Sequence, residues 1–144
     1  MPEDNSPPLF THHRRVEFAD TDAGGIVHFA RFLVFMETAE HEMLRRRGIE
    51  ALVDDRGRSI GWPRVEAGCQ YLKPALLGDD LVIEVRLARR GERSMTYEFL
   101  ITRGKDILAK GSMASVCCVL HSDRPPQAIR FPDFIAARLP DNSG

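Results

Sequence analysis

No apolar run in the 144-residue chain approaches the roughly 20 residues a helix needs to cross a bilayer. Residues 1–8 are acidic and polar and have neither the basic nor the apolar region of a secretory leader, so they read as a short disordered lead. Formal net charge is −1, which gives no global electrostatic argument for a nucleic-acid or membrane-surface partner. Cysteine is scarce and odd in number, at Cys69, Cys117 and Cys118. The last two are adjacent and would face opposite sides of a strand. A disulfide framework is therefore not expected, and a reducing cytoplasm is. Cys69 falls in a strand-like alternation, where a thiol acts as a small buried hydrophobe. The five histidines are scattered, and His12 and His13, being neighbours, would point apart. No set of His and Cys has ligand spacing, so neither a metal nor another cofactor is expected. Internal repeats and low-complexity segments are absent too.

What is present is enough apolar residue, 43%, for a real core in one domain spanning 1–144. The chain is organised around residues 20–48. Phe29, Phe32, Met36, Ala39 and Met43 recur at helical spacing, with Leu33 and Leu44 widening the stripe. Arg45, Arg46 and Arg47 suit the negative end of the helix dipole, and Gly48 is a stop signal. No other stretch could form a second helix of that length. Ahead of it runs an acidic loop with two glycines, residues 20–28. A helix start offers unpaired N–H groups and partial positive charge, and glycine lets backbone approach a ligand closely. A carboxylate beside such a site can act as base or nucleophile while the N–H groups hold an oxyanion. The bland alternative is a loop whose aspartates only cap and turn.

The remainder alternates with period two. Residues 9–18 read as a first strand, with Phe10, Val16 and Phe18 of like parity. Residues 50–61 are polar and read as a turn of helix and a loop. Residues 62–72 read as a strand with Val65, Ala67, Cys69 and Tyr71 on one face, ended by Lys73-Pro74. Leu81, Ile83, Val85 and Leu87 form another face, and Met95, Tyr97, Phe99 and Ile101 a third. Residues 107–120 read as the last long strand. Short turns at 89–93 and 103–106 make this an antiparallel meander. The predicted class is α+β: about five antiparallel strands wrapped around one long central helix. Residues 121–144 form a C-terminal extension, with a short helix predicted after Pro132 over 131–139.

Three motifs carry a resemblance. Val16-Glu17-Phe18-x-Asp20-Thr21-Asp22-Ala23-Gly24-Gly25-Ile26-Val27 resembles the signature of hot-dog-fold acyl-CoA thioesterases of the 4-hydroxybenzoyl-CoA thioesterase type, which includes the thioesterases encoded with the Tol–Pal envelope system. The likeness continues through Tyr71-Leu72-Lys73-Pro74-Ala75-x-x-Gly78-Asp79-x-Leu81 and Ala109-x-Gly111, and covers roughly residues 9–120. It implies the hot-dog fold and hydrolysis of an acyl-CoA to acid and free CoA. It implies Asp22 as the catalytic carboxylate, base or nucleophile, with Asp20 holding the loop. The oxyanion donor would be the N–H of Phe29, seven residues on, with Gly25 and Ile26 shaping the loop. Relatives in the envelope-linked branch carry a histidine at that place after a tyrosine; here the order is His28 then Phe29, so His28 is either a further site residue or a satisfied loop histidine. Glu37 and Glu40 are the rival bases, since other hot-dog thioesterases use a helix carboxylate.

For the substrate's phosphates the sequence provides Arg89, Arg90 and Arg93 at one turn, and Lys73. Trp62, Phe32, Phe35 and Tyr71 are candidates for an apolar acyl pocket. Open sheet edges, together with the resemblance, imply a homodimer or homotetramer. A non-catalytic acyl-CoA-binding module is the alternative function. A hot-dog hydratase is a further one, against which the Asp20–Gly25 signature argues.

Overall fold

In the computed structural model, which describes residues 6–141, the apolar stripe becomes helix α1, Phe29–Arg46. Phe32, Phe35, Met36, Ala39, Met43 and Leu44 are buried along it. Phe29 is 65% exposed, so the buried face starts one turn later than the spacing placed it. Gly48, at φ +80°, stops the helix, and the next N–H, that of Ile49, returns to the Leu44 carbonyl.

Among the described residues nine strands accompany it: β1 (Phe10–Arg15), β2 (Val53–Asp55), β3 (Arg58–Gly61), β4 (Arg64–Tyr71), β5 (Asp80–Arg90), β6 (Ser94–Arg103), β7 (Asp106–Val116), β8 (Cys118–Leu120) and β9 (Gln127–Ala128). The main sheet is antiparallel, ordered β1-β5-β6-β7-β4. It wraps α1, which packs against β5, β1, β4 and β7. The predicted faces of β5 and β6 belong to the core: Leu81, Ile83, Val85, Met95, Tyr97, Phe99 and Ile101 are buried, while Leu87, near the far end of β5, is half-buried. Each of the aliphatic, methionine and phenylalanine side chains among those buried contributes about 1.5–3 kcal/mol. This is the α+β hot-dog arrangement. Gly111 of β7 permits its close approach. A Cβ there would collide with the sulfur and terminal methyl of Met36 and stand 3.0 Å from the Gly68 carbonyl oxygen.

Several boundaries differ from the sequence reading. β1 ends at Arg15, and Phe18, expected within it at the same parity as Phe10 and Val16, lies on a 3-10 turn, Phe18–Asp20, 80% exposed. Residues 50–61 form no helical turn but the β2–β3 hairpin. Arg56 and Gly57 both take positive φ, and the Asp54 carboxylate accepts from the Gly57 N–H, which makes a tight polar turn. The last strand is split at Cys117, where the chain leaves the main sheet for a small one ordered β2-β3-β8-β9. Both Cys117 and Cys118 are buried as a result. β4 is an edge strand with a bulge near its start, and its apolar residues stay open: Val65 is 64% and Tyr71 46% exposed. The terminal helix α2 is only Asp133–Ala136. Of the expected disordered lead, residues 1–5 lie outside the described chain, while the Ser6 carbonyl accepts from Arg86.

The register fixes two ends. Arg15 pairs with Asp80, Arg103 with Asp106, and Tyr71 with Ala109, so these residues share one end of the sheet. Helix α1 starts there: the Tyr71 hydroxyl donates to the Phe29 carbonyl at 2.8 Å. The β5–β6 turn lies at the other end, about 30 Å along the strand.

Candidate active site

The loop between β1 and α1 is a small hairpin of its own. Thr21 bridges Val27, and the Asp22 N–H donates to the Ile26 carbonyl at 2.8 Å. The Gly25 N–H returns to the Asp22 carbonyl at 3.1 Å, and Gly25 sits at φ +78°. A three-residue loop closed by a left-handed residue demands glycine at that place, which accounts for Ala23-Gly24-Gly25. Asp22 Oδ1 accepts from the Gly24 N–H at 2.8 Å, an Asx turn that orients the carboxylate. Asp22 is exposed, and among the described residues its other oxygen has no partner.

The second motif holds the first. The Val27 N–H donates to the Ala75 carbonyl at 2.9 Å, Ile26 bridges Leu76, and the Gly78 N–H donates to the Val16 carbonyl. Gly78, at φ +86°, makes that turn, and the Asp79 carboxylate accepts from the Leu76 N–H within it.

Asp20 and Asp22, two residues apart, live in opposite surroundings. Asp20 is fully buried. Its carboxylate accepts from Arg14 of β1, from Arg31 in the first turns of α1, and from the Glu17 N–H, at 2.7 to 3.0 Å. Burial alone would raise its pKa, but the Glu17 N–H and the two guanidinium groups outweigh it and hold the carboxyl below the usual range. Its carbonyl accepts the His28 N–H at 2.9 Å. Asp20 thus ties strand, loop and helix start together. The backbone bonds were expected of it; the two arginines were not. One signal was available, since a cation at residue 31, near the positive end of a helix, calls for a carboxylate partner.

At the helix start, His28 is the N-cap: its Nδ1 accepts from the Ala30 N–H at 3.2 Å. Its ring stacks on that of Phe29, centroids 4.5 Å apart. Among the described residues the Phe29 N–H has no acceptor. Beside it opens a groove of about 320 Å³, lined by Ile26, Val27, Phe29, Phe32, Tyr71 and the segment that follows Tyr71. Phe32 and Tyr71 meet edge to face at 5.3 Å. Asp22 itself is not on the groove wall of a single chain; it stands on the loop whose Ile26 and Val27 are.

Other expected residues are elsewhere. Phe35 is core, under the Arg14 guanidinium at 5.2 Å, and Trp62 packs on Phe131 at 5.8 Å, so neither lines the groove. Glu40 is buried in an ion pair with Arg64 of β4, and Glu37 is 3.6 Å from the same arginine. Burial raises the Glu40 carboxyl and Arg64 opposes it. Eleven residues along α1, Glu40 is about 16 Å from the helix start, too far to share a reacting carbonyl there. Lys73 borders the groove, and its ammonium is 2.8 Å from Asp106. Arg90 donates to the carbonyls of Ala136, Leu139 and Pro140 and lies over Phe131, so it braces the C-terminal segment instead of presenting a free guanidinium. Arg89 and Arg93 are exposed, at the end of β5 remote from the loop.

Residues 24–110 match the thioesterase superfamily. The chain belongs to that superfamily. The thioesterase is 32% identical over 133 residues to a 1,4-dihydroxy-2-naphthoyl-CoA hydrolase of Nostoc punctiforme, covering 92% of this chain and 88% of that one. It is 30% identical over 123 residues to the acyl-CoA thioester hydrolase YbgC of Escherichia coli O157:H7, covering 84% and 90%. A solved gentisyl-coenzyme A thioesterase superposes with a TM-score of 0.74 at 26% identity, over 88% of this chain and 98% of that one. No helix of the described thioesterase is long and apolar enough to cross a membrane.

Proposed function

We propose that this thioester hydrolase acts on aryl-CoA substrates, with Asp22 as its catalytic carboxylate and the Phe29 N–H as its oxyanion donor. The observation that carries the reading is a helix-start N–H on the wall of an apolar groove, without an acceptor among the described residues, together with an exposed, Asx-oriented carboxylate on the loop whose Ile26 and Val27 line the same groove. The rings of Phe29, Phe32 and Tyr71 favour a flat acyl group, and two of the relatives named above act on naphthoyl and gentisyl thioesters.

With the thioester carbonyl on the Phe29 N–H, negative charge developing on its oxygen meets a fixed dipole at the positive end of α1. Asp22 either takes a proton from water, which then attacks, or attacks directly to give an anhydride that water opens. In both routes the C–S bond breaks and the sulfur leaves as the CoA thiolate and takes a proton. In the first the water oxygen ends in the released acid, whereas in the second water opens the anhydride at the Asp22 carbonyl, so the water oxygen stays on Asp22 and the acid leaves with an aspartate oxygen. A single turnover in oxygen-18 water separates them, since only direct attack places label in the Asp22 side chain.

The edge strand β4 and the exposed Val65, Tyr71, Leu72, Leu76 and Leu77 support pairing with a second chain, which would also close the groove. In that assembly Arg89 and Arg93 serve the CoA handle of a substrate held by another subunit, because within one chain they lie at the wrong end of β5. Lys73, at the groove rim, serves the handle of its own. A panel of acyl-CoAs assayed by thiol release tests the reading: kcat/KM should be highest for aryl acyl groups. A preference for long aliphatic chains would overturn the substrate assignment while leaving the hydrolase intact.

A further inference from the structure

Among common N-caps, Ser, Thr, Asp and Asn dominate, because a small side-chain oxygen reaches the second or third N–H of the helix. Here the cap is His28, through Nδ1. The ring does two things at once. Its nitrogen holds the Ala30 N–H, and its face holds the Phe29 ring. The residue's own N–H is tied to the Asp20 carbonyl, and the Phe29 carbonyl is tied to Tyr71 from the far side. The peptide N–H of Phe29 lies between these attachments.

We infer that His28 is a positioning residue that aims the Phe29 N–H, and that only its neutral form does so. This rests on the proposed role of that N–H. Neutral imidazole with its proton on Nε2 leaves Nδ1 free to accept; protonation puts a hydrogen on Nδ1, which then faces another donor, and the cap is lost. A carboxylate or amide cap would not change state near neutrality. The charged groups on the surrounding segments are Asp20 and Asp22 of the loop, Arg31 of α1 and Lys73 after β4. Arg31 pairs with Asp20 and Lys73 with Asp106, and among the described residues none pairs with His28. The first turn of α1 is therefore ordered while the imidazole is neutral and loosened when it carries a proton.

The test is the pH profile of kcat and KM for the wild type, His28→Ala and His28→Asn on one aryl-CoA, with the amide-exchange protection of Ala30 measured alongside. In the wild type, kcat and Ala30 protection should fall together on acidification. His28→Ala should lose about fivefold in kcat at high pH, as expected for a lost cap worth about 1 kcal/mol, with KM within twofold. His28→Asn keeps a cap that does not titrate, so it should recover most of that kcat and lack the acid limb. An unchanged acid limb in His28→Asn, or wild-type kcat and Ala30 protection in His28→Ala, would overturn the inference. Ala30 protection reports the cap whatever the chemistry, so full activity in an Asp22 variant would instead strike at the proposed mechanism.

Discussion

At the scale of single residues, two aspartates separated by one threonine do opposite work. Asp22 stands on an exposed turn with one oxygen unpaired among the described residues, whereas Asp20 is sealed between Arg14, Arg31 and the Glu17 N–H. Removing one member of a buried pair leaves its partners' charge uncompensated, so Asp20→Asn should cost about 3 kcal/mol at neutral pH in urea unfolding. The folded pKa of Asp20 lies below its unfolded value. Its contribution is therefore complete above about pH 4 and is lost as pH falls through the lower, native value. The gap between wild type and Asp20→Asn should thus be constant near neutrality and shrink only at strongly acidic pH. A constant gap down to pH 2 would mean the carboxylate is not what stabilises the fold. Asp22 could be singled out as a candidate because a short motif surrounds it. The partners of Asp20 were not, since they lie six and eleven residues away on different elements.

At the scale of elements, the motifs are packing devices. Gly78 and Asp79 build the turn that holds Val27, and Gly111 lets the sheet reach Met36. Gly111→Ala must push that side chain aside against the Gly68 carbonyl, so it should destabilise by about 2 kcal/mol, read as a lower Tm. An unchanged Tm would show that Met36 moves freely. Long periodic segments were readable: α1, β5 and β6 lie where apolar spacing put them. The β2–β3 hairpin was not, because strands of three and four residues, each with a single large apolar side chain, carry no period and the turn uses Arg56 where glycine or asparagine would have signalled it. Nor was the split at Cys117, where apolar residues continue unbroken from one sheet into the next.

At the scale of the whole molecule, a single chain leaves the groove open. Its aromatic wall and the edge of β4 are open, the Asp22 loop stands beside the groove, and Arg89 and Arg93 lie at the opposite end of the sheet. Light scattering should therefore give two or four times the 16.2 kDa chain mass. A monomer at micromolar concentration would contradict the shared site and remove any role for those two arginines. In the assembled enzyme, Arg89→Ala and Arg93→Ala should each raise KM severalfold for an acyl-CoA, and leave a thioester lacking the nucleotide unaffected. Sequence could place the arginines on one turn but not say which end of the sheet that turn occupies; Arg90, engaged by carbonyls some 50 residues away, shows the limit of reading a cluster by proximity. The central claim is that Asp22 performs the chemistry at the start of α1, and the most direct measurement is kcat of Asp22→Asn on the best aryl-CoA, with Tm recorded for the same protein. The account predicts a loss of about 1,000-fold in kcat at unchanged Tm, the scale of a lost base or nucleophile; a kcat within a few-fold of wild type would contradict it.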